Sequence, residues 1–381
     1  MKSYTLLVVM LSAIVTISSI YVTQPIHPLF VEIFEISISQ VTLFTSVTLL
    51  ALAFSPIVYG YLLEKFDVRI ILIFALTCIG ILQCLLCLSQ DYNTFLILRI
   101  LESLMIPASL TASLTILTRL DSKNIQKYVS IYVASTVFGG AISRIGSGVI
   151  TSLFSWQVTF MLLGITTLSV ALMSYRIPKS NKINSSKITP KIFLDFLGDK
   201  RYALLYIGAF LVLFCFQGAL NLMPFEIKAI YPNISSAEIG FLYTGYVIGI
   251  ITALLANFII KISKGALNAI IFGFIIFGIA PLLMLIRDFW WMFFSVFVIC
   301  IGMFIVHSVL SGFINSLQKD KKGITNGLYL TFYYAGGTCG TTLPSYFYNA
   351  FGWEVLCFVL SGVLFGSAWL FYMYRKIFKG I

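Results

Sequence analysis

The sequence predicts an all-α integral membrane protein, with twelve transmembrane helices in two pseudo-symmetric six-helix bundles. Three observations predict it. Apolar residues make up 59% of the 381 positions and charged residues only 10%, with a mean hydropathy of +0.99; a soluble chain carries about a quarter charged residues. Apolar stretches of about twenty residues follow one another to the C-terminus, each long enough to cross about 30 Å of hydrocarbon as a helix. Finally, the second half of the chain repeats the first at an offset near 197 residues.

The expected spans are 4–30, 41–63, 70–88, 93–117, 125–150 and 157–176 in the first half, and 201–225, 238–260, 267–286, 289–317, 324–349 and 354–375 in the second. The first is read as a span rather than a cleaved leader, because its apolar run exceeds a signal h-region and no small-residue cleavage site follows. Spans 2 and 8 are each preceded by a capping-box spacing, Ser37 to Gln40 and Ser235 to Glu238, in which a serine and a Gln or Glu satisfy free N–H groups at a helix start. Pro25, Pro28, Pro107, Pro224 and Pro344 are candidate bends. Trp290 and Trp291 at the start of span 10 suit an interfacial belt. Loops are short except for 177–200, a basic Ser/Asn-rich stretch read as a linker, which leaves an N-terminal bundle 1–176 and a C-terminal bundle 201–381. Period-2 alternation in ten-residue blocks is absent, which argues against a β-barrel.

Charge sets the orientation. Of 25 Lys and Arg residues, all but Lys228, Arg287, Arg99 and Arg144 fall at the termini or in even-numbered loops. The positive-inside rule places both termini and the linker in the cytoplasm. The net charge of +11 is therefore a topology signal and an attraction to anionic lipid, and no nucleic-acid module accompanies it.

The repeat is carried by several matches. Phe154-Ser155-Trp156-Gln157-Val158 pairs with Phe351-Gly352-Trp353-Glu354-Val355, Gly139-Gly140 with Gly336-Gly337, and Tyr132 with Tyr329 at 197; Pro28 and Pro224 differ by 196, and the two capping boxes by 198. Six helices per half return the chain to the same side, so the copies are parallel, the relation between the halves of transporters of the major facilitator type.

The chain resembles the major facilitator superfamily over essentially its whole length. Gly60-Tyr61-Leu62-Leu63-Glu64-Lys65-Phe66-Asp67-Val68-Arg69 is similar to that family's G-x-L-a-D-r-x-G-r-r loop, with Asp67 and Ile70 departing from it. The resemblance implies a cytoplasmic gate at Gly60, Glu64, Lys65 and Arg69; ordinary positive-inside charge is the alternative. Tyr21-Val22-Thr23-Gln24-Pro25-Ile26-His27-Pro28 resembles the Y-x-x-Q-P-L-x-P segment of YnfM-like inner-membrane transporters, as do Gly139–Arg144 and Leu328–Gly336. That resemblance implies drug or sugar efflux from a bacterial inner membrane. Of the antiporter pattern G-x-x-x-G-P-x-x-G-G in span 5, only Gly139 is retained over Ser135–Arg144, so the motif does not secure the direction of transport.

Ionisable groups within spans are costly unless they pair, face a cavity or do work. Arg99 and Glu102 share a face of span 4 at i, i+3, and Arg144 lies at a similar depth on span 5. Their offset partners are Val296, Ile299 and Thr341, so the charges are not part of the shared scaffold. They form the candidate proton-coupling cluster, with a static ion pair between spans 4 and 5 as the alternative. Tyr21 and Gln24 on span 1, Gln217 and Asn221 on span 7, His307 on span 10 and Tyr333 on span 11 are candidate cavity residues; the alternative is helix-to-helix hydrogen bonding. His27 reads as interfacial, and the aromatics of span 11 read first as core packing.

Seven cysteines all lie in apolar spans and read as packing residues, Cys84-x-x-Cys87 included. No G-x-x-x-x-G-K-[ST] loop, nucleophilic triad or metal-ligand cluster appears, so neither an enzyme nor a cofactor or metal is expected. Energy must then come from an ion or solute gradient through alternating access. The expected function is proton-coupled efflux of small organic molecules by a monomer in the lipid bilayer. Uptake of a small organic anion and a non-transporting sensor of the same fold are the rivals.

Overall fold

The computed structural model describes residues 2–120, 125–178, 195–317 and 322–378. No strand occurs among them. In the first half of the sequence, α1 (Lys2–Tyr21) is followed by a 3₁₀ turn (Gln24–Ile26), α2 (His27–Phe34), α3 (Ile38–Lys65), α4 (Val68–Leu86), α5 (Tyr92–Leu120), α6 (Ile125–Leu153) and α7 (Trp156–Ser174). In the second half come α8 (Lys200–Ile230), α9 (Ser236–Leu242), α10 (Tyr246–Leu254), α11 (Ala256–Ile262), α12 (Ala266–Leu283), α13 (Phe289–Leu317) and α14 (Lys322–Met373). Eleven helices among the described residues are long and apolar enough to cross a membrane. The longest is two helices joined at Gly352, whose φ of 81° suits a residue without a Cβ, which brings the apolar spans among the described residues to twelve. Most of the predicted linker falls at 179–194, outside the described residues.

Span 1 is not the single helix that its hydropathy predicts. It breaks at Thr23 to Ile26, because Pro25 and Pro28 lack the N–H groups that would continue the ladder. Span 8 is likewise interrupted, by a 3₁₀ turn at Tyr243–Gly245 and again at Leu255. Both predicted capping boxes form. Gln40 N–H donates to Ser37 Oγ at 3.2 Å while Ser37 N–H donates to Gln40 Oε1 at 2.9 Å, and Ser235 and Glu238 repeat the arrangement. Asp91 caps α5 through Thr94, whose hydroxyl and N–H hold its carboxyl below the usual range.

The chain divides into two compact units, Met1–Ser185 with Ile234–Thr244, and Ser186–Asn233 with Gly245–Ile381. The first unit thus includes α9, from the second half of the sequence. That helix lies against α6 through small residues: a Cβ on Gly240 would meet the Arg144 carbonyl at 3.0 Å, and Ser152 Oγ accepts from Ala237 N–H at 2.8 Å.

Each unit repeats one close approach. In the first, a Cβ on Gly139 would stand 2.7 Å from the carbonyl oxygen of Ile14, so α6 and α1 touch backbone to backbone. In the second, Gly336 and Gly340 press on the carbonyls of Phe210 and Phe214, which joins α14 to α8. Ile14 and Phe210 are 196 residues apart, and Gly139 and Gly336 are 197 apart, so the repeat in sequence is a repeat in packing.

We call distal the end of the first unit that carries the joints at 35–37, 87–91 and 154–155, and the end of the second that carries those at 284–288 and around Gly352. The distal end of the first unit is an aromatic cluster. Phe30 lies 5.4 Å from Trp156 and 5.1 Å from Phe95, and Phe95 lies 4.5 Å from Phe44. The opposite end packs Val8, Val9, Leu72, Leu76, Ala112 and Ile116.

Candidate functional site

The interior of the first unit holds two arginines and one carboxylate, and the break in span 1 helps to position them. The last carbonyls of a helix have no partner within it. At the end of α1 two of these, Ser19 O and Ile20 O, accept from Arg99 Nη2 at 2.5 and 3.0 Å. A cation is favoured there by the helix dipole. Arg99 Nε donates to Phe44 O at 2.9 Å, and Nη1 donates to Glu102 Oε2 at 2.6 Å. The arginine, with no exposed surface, is therefore shared among α5, α1 and α3.

Glu102 is equally enclosed. Its other oxygen, Oε1, accepts from Gln83 Nε2 of α4 at 3.1 Å. Gln83 also donates to Ser19 Oγ, and its Oε1 accepts from Thr167 of α7 at 3.0 Å. One ion pair within α5 thus extends into a network of side chains on α1, α4 and α7. In a low-dielectric interior such a network holds only when its members are satisfied.

Arg144 occupies a second network. Its Nε donates to Gln24 Oε1 at 2.6 Å, its Nη1 donates to Gly140 O at 2.7 Å, and its guanidinium lies 3.8 Å from the centre of the Tyr21 ring. The Tyr243 ring, at the end of α9, lies 5.5 Å from it on another side. A cation over a ring face is stabilised by the ring quadrupole, about 2 kcal/mol or more when desolvated. Tyr21 and Gln24, expected as cavity residues, are therefore the partners of Arg144.

The remaining candidates divide between the units. Gln217 and Asn221 are fully buried on α8. His307 Nδ1 and the Tyr329 hydroxyl are 2.8 Å apart, and the Tyr333 ring lies 4.5 Å from the imidazole at a tilt of 34°, so His307 and Tyr333 belong to one aromatic group of the second unit. His27 was expected to be interfacial. It is fully buried instead, with Nε2 at 3.3 Å from Thr23 Oγ1 and 3.5 Å from Thr45 Oγ1. The break in span 1 turns it inward. Of the gate residues, Arg69 donates through Nη1 to the carbonyls of Ile177 at 3.1 Å and Tyr175 at 3.4 Å, beside the C-terminus of α7. Asp67, which stands where the related loop has glycine, caps α4 by accepting from Arg69 N–H. Gly60, Glu64 and Lys65 lie in the last turns of α3, with side chains outside the described residues.

Sequence reasoning missed Gln83, Ser19, Thr167 and Tyr243. For Gln83 a signal existed, since an amide in the middle of an apolar span must find partners among neighbouring helices. For Tyr243 none did, because its place depends on how α9 packs.

Comparison with known proteins gives a consistent result. The family model described as Major Facilitator Superfamily matches residues 9–232 and 228–378. The inner membrane transport protein YnfM of Escherichia coli (strain K12) is 25% identical over 349 residues, 90% of this chain and 84% of that protein. The uncharacterized MFS-type transporter YybF of Bacillus subtilis (strain 168) is 22% identical over 363 residues, 93% and 89% of the two chains. Among solved structures, the nucleoside transporter NupG superposes with a TM-score of 0.80 at 13% identity over 98% of this chain and 99% of that one. A bacterial homolog of the human lysosomal transporter Spinster gives 0.73 at 14% identity over 99% and 95%.

Proposed function

Since this chain belongs to the Major Facilitator Superfamily and is a multi-pass membrane transporter, we propose that it exports small organic molecules in exchange for protons, by alternating access. The observation that carries this reading is the Glu102 carboxylate, wholly enclosed within a membrane-spanning bundle and bound by Arg99 and Gln83. Intramembrane carboxylates are expensive and tend to serve a pathway. In the arrangement described, Glu102 is paired with Arg99. Rotation of the Arg99 side chain away from Glu102 would leave a buried carboxyl that is stable only with a proton, and so would tie proton uptake to a change in the contacts that Arg99 makes with α1 and α3. The second unit supports a functional role, because it holds Val296, Ile299 and Thr341 at the matching positions.

In this reading both termini and the 177–200 linker face the cytoplasm of a bacterial inner membrane, and the distal ends face outward; the placement of Lys and Arg supports it. Arg69 acts at the cytoplasmic gate by holding the C-terminus of α7. In the first unit Arg144, Gln24 and Tyr21 contact substrate, and in the second unit Gln217, Asn221, His307 and Tyr333 do.

The test is proton flux in energised inside-out vesicles, challenged with drugs, sugars and metabolites. Substrate-triggered proton release by wild type, abolished in Glu102→Gln with the melting temperature preserved, is the expected result. Normal proton release in that variant would sink the role of Glu102. Substrate flux in the opposite direction would establish the importer. A folded protein that moves none of the compounds would favour the sensor.

A further inference from the structure

The distal end of the second unit holds a cavity of about 510 Å³, within the range of small-molecule sites. Its wall includes Glu226, Arg287, Tyr348, Phe351, Trp353 and Glu354. Two sources of negative potential meet there. Glu226, only 3% exposed, lies near the C-terminal end of α8. Glu354, exposed at the rim, is the second. Against these stands one lining cation, Arg287, with half of its side chain in the open.

The pairing of Glu226 is incomplete. Oε2 accepts from the Tyr348 hydroxyl at 3.1 Å. Oε1 lies 2.8 Å from Arg287 Nη2, but no donor is aligned for a hydrogen bond to it. A buried carboxylate oxygen without an aligned donor is costly. The lining charges, two carboxylates and one guanidinium, balance when one further positive charge enters. Aromatic rings complete the wall, with Tyr348 edge-on to Trp353 at 6.1 Å and Phe351 at the mouth. Carboxylates with ring faces recognise alkylated ammonium groups. A metal ion is less suited, since no group of three His, Cys, Asp or Glu side chains able to hold one occurs among the described residues.

We propose that this cavity binds a small monovalent organic cation, an amine or quaternary ammonium, with its charged head between Glu226 and Glu354 and its alkyl groups on Tyr348 and Phe351. The site lies wholly within the second unit and does not rest on the transport reading.

The test is calorimetric titration of the full-length detergent-solubilised protein with tetraethylammonium chloride at constant ionic strength, with 3,3-dimethylbutanol as the uncharged probe. Saturable one-to-one binding of the ammonium and none of the alcohol are expected. Affinity should fall roughly tenfold in Glu226→Gln and in Glu354→Gln, the loss of one charged contact each. It should be unchanged in Glu32→Gln, which removes an exposed acid from the distal end of the first unit. If Glu226→Gln does not fold, Glu354→Gln at the rim decides the matter. Absence of saturable binding to wild type, equal affinity for the alcohol, or undiminished affinity in Glu354→Gln would overturn the proposal.

Discussion

The two halves of the molecule share one scaffold and place their charges at different points of it. In the middle of the first half stand Arg99, Glu102 and Arg144; 197 residues on stand Val296, Ile299 and Thr341, all buried. At the distal end the polarity reverses. Phe30 sits among aromatic rings, and its counterpart 196 residues on is Glu226, paired with Arg287. What the halves keep in common is backbone approach and helix starts: Gly139 and Gly336 against neighbouring carbonyls, and the boxes at Ser37 and Ser235. The bundle therefore folds with either polarity at these sites, and charge at a given depth is not fixed by the shared scaffold.

Three sets of substitutions would break or sharpen that contrast. The largest effect is expected at Arg99. Arg99→Ala strands the Glu102 carboxylate and the carbonyls of Ser19, Ile20 and Phe44, which should cost about 3–5 kcal/mol. Thermal unfolding in detergent reads the loss. The double variant Arg99→Val with Glu102→Ile, which transplants the residues of the second half, should recover the part of the loss that comes from the stranded carboxylate, since apolar replacement of a buried pair is often neutral, while the carbonyls of Ser19, Ile20 and Phe44 stay unpaired. If the double variant is no better than the single, the charges are structural and the contrast between halves fails.

Next come the shared glycines. Gly139→Ala and Gly336→Ala each drive a methyl group into a backbone carbonyl, and each should lower stability by about 1–3 kcal/mol. Similar losses would confirm a common scaffold, and a loss in one half alone would limit it to that half. The smallest effects belong to the caps. Ser37→Ala and Ser235→Ala should each cost about 1 kcal/mol, again equally in the two halves.

Much of the architecture was legible in the sequence, because length and hydropathy report membrane spans directly and each cap is written within four residues. The Arg99–Glu102 pair was legible for the same reason: both residues lie on one turn of one helix. What was hidden depends on contacts between helices. Hydropathy averages over Gln24 and Pro25 and cannot register that the helix stops, so the inward turn of His27 went unseen. Arg144 was grouped with Arg99 by depth alone, whereas the structure gives it Gln24, Gly140 and Tyr21. Glu226 fell one residue past the expected end of span 7, and its partners Tyr348 and Arg287 lie on other elements of the chain.

The placement of Arg99 and Glu102 on one helix also bears on how the chain is made. A lone arginine or carboxylate at the centre of a nascent span costs about 2.5–3.5 kcal/mol on insertion. Span 4 brings its counter-ion with it, so the pair can close as soon as the helix winds, before any neighbour has docked. Arg144 has no such companion one turn away. Its amide and ring partners, Gln24 and Tyr21, are on a span that precedes span 5 in the chain and is synthesised before it. The order of synthesis thus matches the order in which each buried charge finds its relief.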